Sequence, residues 1–410
     1  MGSACNACVS VLLLALAARC LGAAESDIFS IAWSIVQVTL TIGTFQVRLY
    51  QATDVAGKYS FRQYFIFRMV TVLAMIAATG GYILYYGYTG YKAAVVLALS
   101  VYKAGEAVSD VYQGWFQQKE RLDLAGKALS LRVVLSLAVF AAVLVSRSDL
   151  LAACICMGCV SLVCLALFEL RYMRKAGVRD ERQEKEKGWR WFPELAAICF
   201  PLFLNSYLVM SIFNAPKIAI DHAITGGIME AGAQTVYGIL FMPASVINLI
   251  YIVFRPVITK MAIEWNLHHM ETYLRLVRGV LFKLAVFALL VLAGGYALGI
   301  PVLSLVYGVP LKGYRGALLI LLLGGGLNTF VNVLDNSLTV IRKQHLLVVA
   351  YIITWGFAQW ASPLLVRRAG VEGAALSFML SMAVLLFSVF VLFAYSIWKI
   401  KSQPEGQKER

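Results

Sequence analysis

The stretch 101-VYKAGEAVSD-110 places Lys103, Glu106 and Asp110 inside a segment otherwise apolar enough to span a membrane. At about 100° per residue, the three fall within an arc of roughly 60° on one helix face. A charged side chain at the centre of a membrane helix costs roughly 2.5–3.5 kcal/mol on insertion scales. A shared face lowers that cost, because the three groups can turn together from lipid toward one polar environment. Two readings of the face stand open. Lys103 pairs with Glu106 one turn away and locks the bundle, or the face lines a water-filled cavity and meets a charged substrate.

Two further segments carry polar groups at apolar depth. In 214-NAPKIAID-221, Asn214, Lys217 and Asp221 surround Pro216, with Pro201 and Asn205 upstream. Pro216 removes a backbone donor and is expected to loosen or bend that end. Lys217 is placed either to pair with Asp221 or to snorkel to the interface. In 328-NTFVNVLDNS-337, Asn328, Asn332 and Asp335 share one face, a pattern that glues helices together or adds polar groups to a cavity. Gly324, Gly325 and Gly326 just upstream are expected to weaken that helix and permit flexing.

No catalytic constellation accompanies these groups. His222, His268, His269 and His345 lack metal-ligand spacing with carboxylates, and no G-x-S-x-G, P-loop or H-E-x-x-H occurs. The eight cysteines include Cys5 and Cys8 and the cluster Cys154, Cys156 and Cys159. That cluster lies in an apolar helix with no histidine beside it, so the cysteines read as small membrane-helix residues and not as a zinc site. The sequence therefore predicts no enzyme, no metal site and no cofactor. Without a P-loop, active transport would draw on a gradient, the membrane potential or downstream consumption.

The elements that must position these residues follow from composition. Of 410 residues, 60% are hydrophobic and 14% are charged, against about 25% charged in a soluble domain. A span needs about 20 mostly apolar residues, and about twelve segments qualify. They lie near 7–23, 27–47, 62–85, 92–116, 125–145, 150–170, 193–215, 228–254, 277–299, 315–340, 345–365 and 373–397. The segment 9-VSVLLLALAARCLGAAES-26 could pass for a secretory signal, but no Lys or Arg precedes its core and Arg19 interrupts the end. The first helix is expected to be retained.

The net charge of +14 concentrates in alternate loops, among them Lys58 and Arg62, Lys119 to Lys127, Arg255 and Lys260, and Lys399 and Lys401. By the positive-inside rule both termini are cytoplasmic. Topology and anionic lipid account for the excess, so nucleic acid is not implied. The run from Arg171 to Arg190 has eight cations and four anions and reads as a cytoplasmic linker over 171–192. It separates a six-helix lobe, 1–170, from a second, 193–398, with a tail at 399–410. An even number of helices per lobe lets both lobes enter from one side, as parallel repeats do. Weak echoes match Arg48 with Arg255 and Arg19 with Lys217. The stretch 264-EWNLHHMETYLRLVR-278 looks amphipathic, suited to lying along the cytoplasmic interface.

Several stretches together carry a family likeness: 19-RCLGAAESDIFSIA-32, 46-QVRLYQATDV-55, 102-YKAGEAVSDVYQG-114, 120-ERLDLAGK-127, 214-NAPKIAID-221, 254-FRPVITKMAIEW-265 and 314-YRGALLILLLGGG-326. The chain resembles the polysaccharide-export flippases of the multidrug/oligosaccharidyl-lipid/polysaccharide exporter superfamily. The likeness is nearest to those labelled lipopolysaccharide biosynthesis proteins in Gram-positive bacteria. It implies an all-α integral membrane protein with about twelve transmembrane helices in two pseudo-symmetric six-helix lobes around a central cavity. The implied activity is flipping of polyprenyl-diphosphate-linked oligosaccharide from the inner to the outer leaflet of the bacterial plasma membrane by alternating access.

By family position, Arg19, Arg48 and Arg255 would face the diphosphate, with Lys103 and Lys217 as further cations. Glu106 and Asp110 would balance Lys103 in the empty state or bind a coupling cation. Asn214, Asn328, Asn332 and Asp335 complete the expected cavity. A polysaccharide polymerase or chain-length regulator is the implied protein partner. Compared with family members the first helix looks trimmed, and no residue distinguishes one sugar unit from another. The rivals are a multidrug/cation antiporter of the same superfamily, a lipid II flippase, which the stretches fit less well, and, in a different class, a membrane enzyme of surface-polysaccharide assembly.

Overall fold

The computed structural model describes residues 2–54, 57–175, 188–250, 255–343 and 346–402. The described residues form helices and no strand, and they divide into two compact units, Met1–Asn214 and Ala215–Arg410. The boundary falls within a helix, one residue before Pro216, and not in the charged segment 171–192. Most of that segment, like the tail beyond residue 402, lies outside the described residues. That helix continues through Pro216.

In the first unit, α1 (Gly2–Cys20), α2 (Ala23–Thr44) and the short α3 (Val47–Thr53) lead into α4 (Phe61–Tyr85), α5 (Gly90–Gln118) and α6 (Leu122–Arg147). Then α7 (Leu150–Cys164) passes through a π turn, Leu165–Glu169, into α8 (Leu170–Lys175). The first part of α9 (Trp191–Thr225) completes the unit. Local chemistry sets the starts. Ser60 and Gln63 form a reciprocal capping box at α4, and Asp149 caps α7 through the amide of Ala152. α5 is the hub, packing on α2, α3, α4 and α7. Tyr64, Phe67, Val111, Leu195 and Cys199 form a buried cluster that seats α9 on α4 and α5.

The second unit holds the rest of α9, α10 (Ala233–Ile250), α11 (Arg255–Asn266) and α12 (Met270–Gly294). A second π turn, Gly295–Gly299, joins α12 to α13 (Ile300–Tyr307). α14 (Arg315–Val340) and α15 (Leu347–Lys401) follow, and α14 packs on α10, α12 and α15. α15 is a hairpin and not one rod. Ser362 and Ser377 would lie about 22 Å apart along a straight helix, yet their hydroxyl oxygens meet at 2.6 Å. The chain reverses at Ala369 and at Gly370, whose φ is 56°. Gly373 follows because a Cβ there would lie 1.9 Å from the carbonyl oxygen of Leu365.

Eight of the described helical stretches are long and apolar enough to cross a membrane. The other expected spans are α1, the more charged α5, α10 and the second arm of α15, so the architecture agrees with about twelve crossings.

Two local expectations fail. Gly324, Gly325 and Gly326 do not loosen α14, which runs unbroken through them. They let it pack closely instead: a Cβ on Gly324 would lie 2.7 Å from the Phe378 ring, and one on Gly325 would lie 2.9 Å from the Ala244 carbonyl. The stretch 264–278 is not one interfacial helix. It breaks at His268, which has φ of 61°, and a Glu264–His269 contact of 3.0 Å bridges the break. Its remaining residues enter α12.

Candidate functional site

The face of α5 flagged by its spacing is polar along its length, and its charges choose different partners. Lys103 is buried, donating to Glu106 Oε2 at 2.7 Å. Its ammonium also stands 4.2 Å from the Trp33 ring centroid on α2, a cation–π contact. One turn further on, Asp110 receives two guanidinium groups. Arg68 of α4 donates to Oδ2 at 2.9 Å, and Arg48 of α3 to Oδ1 at 3.3 Å. Arg68 is fully buried, whereas Asp110 is 21% and Arg48 34% exposed.

Backbone geometry puts Arg48 there. α2 ends in two successive left-handed residues, Phe45 (φ 44°) and Gln46 (φ 52°), a strained pair for side chains bearing a Cβ. The Phe45 ring stacks on Phe203 at 4.4 Å, and Gln46 donates to Ser206 Oγ at 2.8 Å, so α9 fixes the bend. The redirected α3 lies against α5 because position 114 is glycine. A Cβ there would come 2.4 Å from Gln51 Oε1 and 3.3 Å from Arg48 Cγ. The bend also frees the carbonyl of Gly43, which accepts from Arg68 Nη1 at 2.6 Å and from Thr71 at 2.8 Å.

The network continues through neutral groups. Arg48 Nη1 donates to Gln113 Oε1 at 2.8 Å, Gln113 Nε2 to Ser109 Oγ at 3.0 Å, and the Ser109 hydroxyl to Glu169. Glu169 closes the π turn after α7 and is buried. The extra residue in that turn rotates its side chain from the end of an apolar helix into the interior. Arg132 of α6 is buried within electrostatic reach of Glu169. Glu169 Oε2, Arg132 Nε and the hydroxyls of Ser136 and Ser161 have no hydrogen-bond partner among the described residues. Buried polar atoms left in this state call for water or a bound group.

In the second unit, Lys217 of α9 is half-buried with its ammonium 4.9 Å from the Phe241 ring centroid. Asp335 of α14 accepts from the Tyr351 hydroxyl at 2.5 Å, and its Oδ1 has no partner among the described residues. On the same helix Asn328 is buried, and the backbone carbonyl of Asn332 accepts from Asn336 Nδ2 at 2.7 Å. Asn214, the last residue of the first unit, turns its amide back to the Met210 carbonyl at 2.8 Å.

The expected residues thus fall into separate groups. Arg48 and Asp110 join, Lys103 and Glu106 join, and Asp335 stands with Tyr351. Arg19 ends α1 and Arg48 follows α2. The 22-residue α2 between them rises about 33 Å, so the two arginines cannot hold one diphosphate together. Arg255 opens α11, and its side chain is outside the described residues. Arg68, Arg132 and Glu169 were missed on sequence. Arg68 and Arg132 each lie inside a helix apolar enough to span a membrane, and the rule that flagged Lys103 applies equally to them.

No protein-family model and no curated protein matches the sequence. Solved structures do match in fold. An inward-facing multidrug resistance MATE family transporter of the MOP superfamily aligns with TM-score 0.72 at 14% identity, covering 98% of this chain and 96% of that one. The lipid II flippase MurJ in an inward closed conformation aligns with TM-score 0.70 at 12% identity, covering 96% and 87%. A MATE transporter of Vibrio cholerae aligns with TM-score 0.65 at 13% identity, covering 97% and 94%. The chain therefore has the multi-pass membrane-transporter fold shared by MATE proteins and MurJ.

Proposed function

We propose that the protein is a flippase carrying polyprenyl-diphosphate-linked oligosaccharide from the cytoplasmic to the outer leaflet of a bacterial plasma membrane. It would work by alternating access, with both termini cytoplasmic. The carrying observation is the arginine pair on Asp110. Fully buried Arg68 already balances that carboxylate at 2.9 Å, so the positive charge of partly exposed Arg48 is not consumed by its longer 3.3 Å contact. Buried in the same unit are the cations Arg68, Lys103 and Arg132, with Asp27, Asp54 and Glu169 among the buried acids. A cation that keeps part of its charge suits a lipid diphosphate, whose oxygens Arg48 can hold bidentately while leaving Asp110 to Arg68. A lipid flippase among the structures of this fold supports a lipid-linked cargo.

Arg48 is the assigned diphosphate ligand, and Lys217 and Arg255 stay candidates from their sequence positions. Lys103 belongs to Glu106 and Trp33 and serves the packing of α5 on α2. A polysaccharide polymerase or chain-length regulator is the expected partner in the host.

A multidrug/cation antiporter is the second reading, favoured by Asp335, an acid with one buried oxygen that has no partner among the described residues, in a fold that MATE transporters share. Substitution in the native host separates the two. With Arg48→Ala, lipid-linked oligosaccharide should accumulate at the inner leaflet at unchanged protein level, and Arg48→Lys should restore part of the export. Asp335→Asn should leave export intact. Normal export by Arg48→Ala, with loss of cationic-dye efflux in Asp335→Asn, would put the antiporter first.

A further inference from the structure

A groove of about 240 Å³ opens in the second unit, far in sequence from the charged network. It runs beside the π turn Gly295–Gly299 and is lined by Gly294, Gly295, Gly299, Pro243, Leu318 and Leu322. The π turn sets two of these glycines against α14: a Cβ on Gly295 would meet Leu322 and one on Gly299 would meet Leu318. Surrounding side chains such as Leu298 and Val302 are largely exposed, as on a surface facing hydrocarbon.

One end of the groove is positively charged. Arg315, one turn before Leu318, lies with its guanidinium carbon 5.1 Å above the ring of Tyr296. Lys312 is exposed just upstream. α14 starts there with no side-chain cap and no acid in its first turn, so its unpaired amides add positive potential. No Asp or Glu occurs between Glu271 and Asp335. Glu372 is the acid that comes near, its Oε1 3.2 Å from where a Cβ on Gly316 would be, which leaves the rim net positive.

The groove lining extends from Val291 to Leu303, about 18 Å of helix rise. That length matches roughly one leaflet of a hydrocarbon core about 30 Å thick. We infer that the groove seats one acyl chain of an anionic phospholipid, with its phosphate on Arg315, Lys312 and the amino end of α14. A single-leaflet chain below a basic rim fits such a lipid better than a carrier much longer than a leaflet. This site uses none of the residues assigned to transport, so it stands or falls separately from the flippase reading.

The test is native mass spectrometry of the purified, delipidated full chain with phosphatidylglycerol, phosphatidylcholine of the same acyl chains, or polyprenyl phosphate added singly. Phosphatidylglycerol should be retained about tenfold or more over phosphatidylcholine, the scale expected for two cations near a headgroup. Lys312→Gln with Arg315→Gln should erase that preference. Gly294→Leu should expel both phospholipids, because a Cβ at Gly294 points into open space and distorts nothing. Val302→Trp fills the same groove from another position, should Gly294→Leu fold poorly. Equal retention of the two phospholipids would overturn the proposal. So would preferential retention of polyprenyl phosphate, or wild-type retention by both groove-filling variants.

Discussion

Asp110→Asn probes the network where it is most constrained. The substitution removes the charge that Arg68 meets at 2.9 Å and Arg48 at 3.3 Å. Arg48 can turn to water, being one-third exposed, and keeps Gln113. Arg68 cannot. It is fully buried, its Nε has no partner among the described residues, and its remaining anchor is the Gly43 carbonyl. Stripping one partner from a buried pair costs about 3–5 kcal/mol. Asp110 is 21% exposed and asparagine retains a polar oxygen, which places the expected loss near 3 kcal/mol at the lower end of that range. Arg68→Met alone should cost less, about 2 kcal/mol, because Asp110 keeps Arg48. The double variant should then be more stable than the sum of the singles by about 2 kcal/mol, since neither charge is left behind. The assay is equilibrium unfolding of the four proteins in mixed micelles. Additivity within about 0.5 kcal/mol would refute the reasoning, and so would a loss below about 1 kcal/mol for Asp110→Asn.

Other sites give independent tests. Glu106→Gln should destabilise by about 3 kcal/mol by leaving Lys103 buried without its carboxylate, whereas Lys103→Met with Glu106→Leu should stay within about 1 kcal/mol of wild type; both are read by the same unfolding experiment. Gly114→Leu should displace α3, because its Cβ enters the space of Gln51 and Arg48. Export should fall to the level of Arg48→Ala, and a cysteine at position 48 should change its labelling rate in that background. Gly373→Ala should cost more than about 3 kcal/mol, since its Cβ would overlap the Leu365 carbonyl and backbone cannot step aside as a side chain can. Thermal aggregation in detergent measures that loss, and a neutral outcome would argue against the α15 hairpin.

How far the sequence reaches is clearest on α5. Its 3.6-residue period put Lys103, Glu106 and Asp110 on one face, and all three are found inside the unit. Their partners were another matter. Periodicity reports which residues share a face of one helix, but it carries no information on which neighbour meets that face. Nothing in the spacing said that Asp110 belongs to Arg48 and Arg68 while Lys103 belongs to Glu106 and Trp33. Glu169 was hidden more deeply. It sits at the edge of the charged stretch after α7, where a solvated carboxylate is the ordinary expectation, and one extra residue in a π turn turns it inward. Gly370 lies between the segments read as the last two spans and Gly373 opens the second of them, so the reversal in α15 was legible as two helices.

The arrangement explains how a lobe of apolar helices can hold so many charges. Each buried cation meets a different arrangement: Arg68 a carboxylate and a backbone carbonyl, Lys103 a carboxylate and an indole face, Arg132 a nearby acid with polar atoms still unsatisfied around it. Buried pairs contribute little net stability over apolar packing, because desolvation offsets most of the attraction. Retaining them is therefore weak as a stability device and stronger as a positioning one. The test of that distinction is Arg48. If it were structural, its loss should lower stability as Arg68→Met does. Exposed by one-third and bound most closely to neutral Gln113 at 2.8 Å, it is placed to leave with little cost. Arg48→Ala should shift unfolding by under about 1 kcal/mol while export collapses. A loss of stability as large as that of Asp110→Asn would instead make Arg48 part of the frame and move the search for the diphosphate ligand to Lys217.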